Sequence, residues 1–200
     1  MWPWEHVVLG YLAYSLFCHL RYGDPPDGPG AFVATSASLL PDLVDKPLAW
    51  SLGAVQSGHA IAHSVFFAVP LAMVVVGWSH SRGHVRTGVA FALGYLLHLP
   101  ADIYYQYAVN DTIEPGMVLW PVRTLEQPPT RAGFVGETIR RLGELRLELL
   151  AGDISQYMWL QFALMGTVAV LWLLDGAPVL REILLGSKSV AESVLHALRT

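Results

Sequence analysis

Charge is what this 200-residue chain has least of: Asp, Glu, Lys and Arg make up 14% of it, while apolar residues make up 54%. Soluble domains carry about 25% charged residues, so an ordinary soluble domain is a poor fit. Net charge is −4 with His neutral, and no basic stripe interleaved with aromatics appears, which argues against a nucleic-acid partner. Cysteine occurs once, at Cys18. An internal disulfide, a CxxC motif and a Cys-rich zinc ribbon are therefore excluded, and any metal site must draw on His, Asp and Glu. The zinc-protease motif H-E-x-x-H is missing, because Ala60 follows His59. No G-x-S-x-G, P-loop or Gly-rich dinucleotide fingerprint is present. The N-terminal stretch has neither the basic region nor the small-residue cleavage site of a secretory signal, so its apolar run is read as a retained helix.

Long apolar runs are what the chain does have. Segments 4–20, 59–78, 87–109 and 157–175 approach or reach the roughly 20 residues that span a bilayer. A fifth run, 31–40, is short and rich in small residues suited to close helix packing. Seven Trp and eight Tyr suit membrane interfaces. "GDPPDGPG" (23–30) is a turn, "SHSRGHVR" (79–86) a short basic loop, and 110–156 the one long polar segment. Within it, 136–150 alternates apolar and charged residues near helical spacing and reads as an amphipathic helix. The tail 177–200 has a similar pattern, broken at Gly186. The expectation is one all-α domain over 1–200, a polytopic helical membrane protein with about five membrane-embedded helices plus an amphipathic helix, in the cell membrane.

Ionisable groups inside such runs are costly, which makes them candidate functional residues. His98 and Asp102 lie four apart in one run, and His59 and His63 four apart at the start of another. On a helix each pair shares a face and could offer two ligands to one metal. Asp42 follows Pro41 in "LLPDLVDK", where a helix cap is the plainer reading; Asp45 lies three residues on. His6 stands in "MWPWEH", where an interfacial anchor is the alternative. His19, His80, His84 and His196 read as structural or surface residues. If 31–42 also crosses the membrane, His6, Asp42, His59 and Asp102 all arrive on one side. The basic loop 79–86 lies on the opposite side, which leans towards a site facing away from the cytoplasm.

The series His6, "LLPDLVD", "GHAIAHSVFF", "GYLLHLPADIYY" and "LWPV" resembles the YdjM-like family of bacterial and archaeal membrane-bound proteins, described as metal-dependent hydrolases. That family shows an early His, a Pro-Asp-x-Asp-like turn, an H-R-G-x-T-H-S-like block and a Gly-x-x-x-His-x-x-x-Asp helix. The likeness spans residues 6–121. Asp42, His59, His63, Ser64, His98 and Asp102 match; the second acid of the turn comes one position late, at Asp45, and Ala60-Ile61 replaces Arg-Gly. The order of ligands is also loosely similar to that of zinc-dependent phospholipase C. With no His between 98 and 196, the resemblance implies one or two metals rather than three.

The resulting expectation is a membrane-embedded metal-dependent hydrolase acting on a phosphoester or lipid-like substrate. His6, Asp42, His59, His63, His98 and Asp102 are candidate ligands of a divalent metal, Zn in the first place and Mn in the second, that lowers the pKa of bound water. Asp45 is a candidate second ligand or general base. Membrane lipid is the expected partner. The rivals are a small transporter or proton-relay protein, and a non-catalytic protein whose metal ties its helices together.

Overall fold

The computed structural model describes residues 1–125, 132–152 and 154–185, and among these it is all-helical, with no strand. In chain order come α1 (Pro3–Tyr22), α2 (Gly28–Ala37), α3 (Leu40–Trp50), α4 (Val65–Ser81), α5 (Val85–Asn110), α6 (Gly133–Ala151) and α7 (Gln156–Leu174). Of the tail expected over 177–200, the part from Gly186 onward lies outside the described residues, as does Arg131.

α1 starts where Pro3 presets the first turn and Glu5 reaches back to accept the Trp2 N–H at 2.5 Å. It stops at Gly23, whose left-handed φ of 73° lets its N–H return to the His19 carbonyl. α2 packs against both α1 and α5, and small residues allow it: Ala31, Ala34 and Ala37 are buried. A Cβ at Gly94 of α5 would collide with the Ala34 carbonyl, and one at Gly10 of α1 would stand 2.9 Å from Ser38 Cβ. Backbones therefore meet at distances only glycine permits. Asp27, just before α2, accepts from Tyr14 Oη at 3.0 Å, so α2 begins half-way along α1.

α2 has 10 residues, about 15 Å of helix, half a hydrocarbon core of about 30 Å. The run 31–40 thus does not form a span of its own. It still brings the chain back to the end of the bundle where α1 starts. The chain then breaks at Ser38–Leu39 and restarts with Pro41 in the first turn of α3. That turn carries Asp42, with Asp45 and Lys46 one turn on.

A second difference concerns His59 and His63. Residues 51–64 are a chain of bends and turns, and α4 begins only at Val65. Ser64 caps that helix by accepting the Phe66 N–H. Upstream, the N–H groups of Ala60, Ala62 and His63 donate to Asp45 rather than to helical carbonyls. The two histidines therefore do not share a helical face; a loop folded around Asp45 brings their rings to 4.6 Å.

Among the described residues, α7 is the helix both long and apolar enough to cross a membrane, and α4 is a shorter apolar one. Both show exposed apolar flanks, including Met73, Val74 and Trp78 on α4 and Trp159, Val170 and Leu174 on α7. Such surface suits hydrocarbon better than water. α1 and α5 have the length but carry ionisable groups. α7 is fastened to α1 by Asp175, which accepts from Tyr11 Oη (2.6 Å) and Ser15 Oγ (2.7 Å) and pairs with His19 Nε2 (2.8 Å). α6 lies against α3, where Phe134 stacks on Trp50 at 6.1 Å and donates its N–H to Ser51 Oγ.

The glycine contacts predict a specific stability pattern. Gly94→Ala should destabilise the detergent-solubilised protein by about 1–3 kcal/mol through overpacking, read by thermal unfolding. Gly77→Ala, where an added Cβ meets nothing within 4 Å, should be neutral or slightly stabilising.

Candidate metal centre

Four side chains from three parts of the chain meet between the start of α3 and the second half of α5. Asp42, His63, His98 and Asp102 are all buried, and one ligand atom from each lies within 4.8 Å of the others. His63 Nε2 stands 3.5 Å from Asp42 Oδ1, 3.5 Å from Asp102 Oδ2 and 3.1 Å from His98 Nε2. His98 Nε2 stands 3.8 Å from Asp42 Oδ1 and 3.3 Å from Asp102 Oδ2. Tetrahedral ligands at about 2.1 Å from a metal are about 3.4 Å apart, and these separations bracket that value.

The hydrogen bonds behind the rings decide where their lone pairs point. His98 Nδ1 lies 2.6 Å from the Ser38 carbonyl, which can only accept, so Nδ1 carries the proton. His63 Nδ1 lies 2.8 Å from Asp45 Oδ2, again an acceptor. With both Nδ1 atoms committed outward, both Nε2 atoms face the common centre. Carboxylate and carbonyl partners of this kind are what orient imidazole ligands in metal sites. A proton on His63 would compete for that space. Burial pushes the His63 imidazole down, but Asp102, Asp42 and Asp45 outweigh it and carry its pKa up to about 10. The same negative field would hold a divalent cation, in competition with that proton.

Unsatisfied atoms point the same way. Among the described residues, both nitrogens of His6, both oxygens of Asp42 and Nδ1 of His59 are buried and make no hydrogen bond. Orphans of this kind are rare in native interiors and mark a site for a missing ion or water. Asp42 Oδ2 lies 2.5 Å from Lys46 Nζ, an ion pair without hydrogen-bond alignment.

His6 and His59 join the cluster from its other side. His6 Nε2 is 3.3 Å from Asp102 Oδ1 and His59 Nε2 is 3.3 Å from Asp102 Oδ2. The Met1 amino nitrogen is 3.0 Å from Asp102 Oδ1. The His6 ring stacks on His98 at 3.7 Å. All six residues read from the sequence as ligands therefore converge, with Asp102 at their centre.

Asp45 is placed differently from the expectation. It is fully buried, and four donors engage its two oxygens: the N–H groups of Ala60, Ala62 and His63, and His63 Nδ1. Burial would raise its carboxyl, but the hydrogen bonds from His63, Ala62 and Ala60 outweigh it and hold the group below its ordinary value. It faces the Nδ1 side of His63 rather than the side where His63 Nε2, His98 Nε2, Asp42 and Asp102 meet.

A family model described as YdjM inner membrane protein matches residues 1–177. The chain belongs to the YdjM family. It is thereby an inner membrane protein, and the matched region holds the whole cluster. No curated protein and no solved structure matches it.

Three features of this YdjM-family chain were not visible as sites in its sequence. The Asp175 clamp uses His19, which read as a bland residue. Glu5, buried beside the cluster, accepts from Tyr157 Oη at 2.8 Å and ties α7 to the start of α1. Lys46 pairs with Asp42 from one turn away; a Lys four residues after an Asp is the one signal that could have found it.

If Asp45 orients His63, Asp45→Asn should weaken Zn²⁺ binding about 10–100-fold, measured by competition with a chromophoric chelator. Unchanged affinity with loss of activity would instead restore a direct chemical role.

Proposed function

We propose that the protein is a membrane-embedded, metal-dependent hydrolase of phosphoesters of lipid type. The observation that carries this is the convergence of His63 Nε2, His98 Nε2, Asp42 and Asp102 on one buried point, with the imidazole lone pairs aimed there by Asp45 and Ser38. Mixed imidazole and carboxylate donors suit Zn²⁺, with Mn²⁺ as the second choice. A divalent cation there supplies Lewis-acid polarisation of an ester oxygen and a lowered pKa for water.

The chain's own residues do the rest. Asp45 and Ser38 hold the two imidazoles in register. Asp102, touched by His6 and His59 as well as by His63 and His98, is the group two metals would share, with His6 and His59 serving the second position. Asp45 acts through His63, as a positioning residue. Access supports catalysis over a purely structural metal. A cavity of about 510 Å³ opens beside the cluster, and Asp42 belongs to both. Closed structural sites have no such approach. For the membrane arrangement, we propose α1, α4, α5 and α7 as crossings and α2 as a half-span packed among them.

The proton-relay reading draws on one observation, the second polar cluster of Tyr11, Ser15, His19 and Asp175 further along α1. Its bonds are satisfied within itself, which favours a clamp. Proton flux in sealed vesicles separates the two readings.

The test is a phosphoesterase screen on detergent-purified protein with short-chain lipid phosphates and added Zn²⁺ or Mn²⁺. Turnover is expected in the wild type, with a loss of at least about 10³-fold in His63→Ala and His98→Ala, the scale of losing electrostatic stabilisation in the transition state. Absence of turnover on every phosphoester with metal bound would contradict the hydrolase reading.

A further inference from the structure

The cavity beside the cluster has a composition of its own. Asp42 lies at its floor, Leu39, Leu43, Phe134 and Leu145 give it apolar walls, and Lys46 and Arg141 bring positive charge from α3 and α6. Its size falls among small-molecule pockets, which run about 300–1,000 Å³. Both cations lie against one aromatic ring and line the same cavity. Lys46 Nζ lies 5.8 Å from the centre of the Trp50 ring and Arg141 Cζ lies 5.2 Å from it. An anion in the cavity would be attracted by both charges.

The cations differ in how fully they are engaged. Arg140, next along α6, spends its nitrogens on Glu137 and Glu144. Arg141 uses only Nε, on Glu137 at 2.8 Å; among the described residues its two terminal nitrogens make no hydrogen bond. Those terminal nitrogens are the planar fork that binds phosphate. Among the described residues Lys46 forms an ion pair with Asp42, and its ammonium group has donors left to offer. Glu144 and Glu148 line the same cavity one and two turns beyond Arg141, so it is positive near Asp42 and negative at its far end.

We infer that this cavity is the headgroup pocket for a phosphate-bearing lipid, with Lys46 and Arg141 as its anion-binding pair. The inference rests on the phosphoester reading above and adds the residues that would select the substrate. The lipid source is favoured over free phosphate by what surrounds the pocket. Leu43, on its rim, is 55% exposed, and Val135 and Ile139 on the outer side of α6 are 67% and 64% exposed. An amphipathic helix with such a face lies in the bilayer interface, which places the rim where lipid headgroups are. Lys46 also stands between pocket and cluster, so a phosphate bound there lies beside Asp42.

The test reads binding rather than turnover, on the full chain in detergent after metal depletion. Dihexanoyl phosphatidic acid, inorganic phosphate and dihexanoylglycerol are titrated by calorimetry. The lipid phosphate should bind at least about tenfold more tightly than either of the others, a difference that corresponds to both halves of the ligand contributing. Arg141→Met touches none of the metal-facing residues and should weaken lipid phosphate binding about tenfold, with Arg141→Lys recovering part of it. Lys46→Met should act in the same direction. Unchanged affinity in the Arg141→Met, Lys46→Met double variant, or equal binding of free phosphate, would overturn the inference. Tight binding of lipid phosphate with no hydrolysis once metal is restored would sink the hydrolase reading alone. Hydrolysis with unchanged KM in both variants would sink the pocket assignment alone.

Discussion

Three buried aspartates, Asp42, Asp45 and Asp102, each lie within 3.5 Å of the His63 ring nitrogens. Burying an ionised carboxylate costs several kcal/mol even after relaxation, and neighbouring carboxylates add repulsion. Positive charge must therefore sit among them. Lys46 provides some of it at Asp42, and the Met1 ammonium provides some at Asp102. Among the described residues, atoms of Asp42, His6 and His59 still make no hydrogen bond. A divalent cation could supply the rest, and the surrounding architecture holds in place the residues that could bind it.

That holding is done at two levels. Asp45 gathers three backbone N–H groups and the His63 ring, which fixes a loop of turns where an apolar run would otherwise continue as helix. Glycine and alanine contacts let α2 press between α1 and α5, which brings the Ser38 carbonyl within 2.6 Å of His98. Both devices act through backbone groups. A bulkier residue at position 94, or an amide at position 45, would disturb the centre without touching a ligand.

The members of the buried cluster were legible as candidates because each is an ionisable residue in or beside an apolar run, where a polar group needs a reason. The helices were legible for the same physical cause, long apolar stretches, and α1, α5, α6 and α7 lie close to where those stretches end. The conformation of 58–64 was not. Its residues fit a helix by period, and the deciding contacts come from Asp45, which is 15 to 18 residues away; the capping potential of Ser64 was the local sign of a later start. The surroundings of Asp45 were not legible because its side chain looked like one more carboxylate, while its four donors belong to backbone and a ring that only folding brings together. The approach of Arg141 to Trp50 needed the meeting of α3 with α6, which no local pattern announces.

The central claim is that the buried His and Asp residues hold one metal centre. Its most direct test is elemental analysis of detergent-purified protein, with and without added Zn²⁺ or Mn²⁺, for the wild type, His98→Ala and Asp102→Ala. The account predicts about one or two equivalents of a divalent metal in the wild type and loss of metal in both variants, with the helical circular dichroism of each retained. A wild type that takes up no metal even from excess, or variants that keep their full complement, would contradict it.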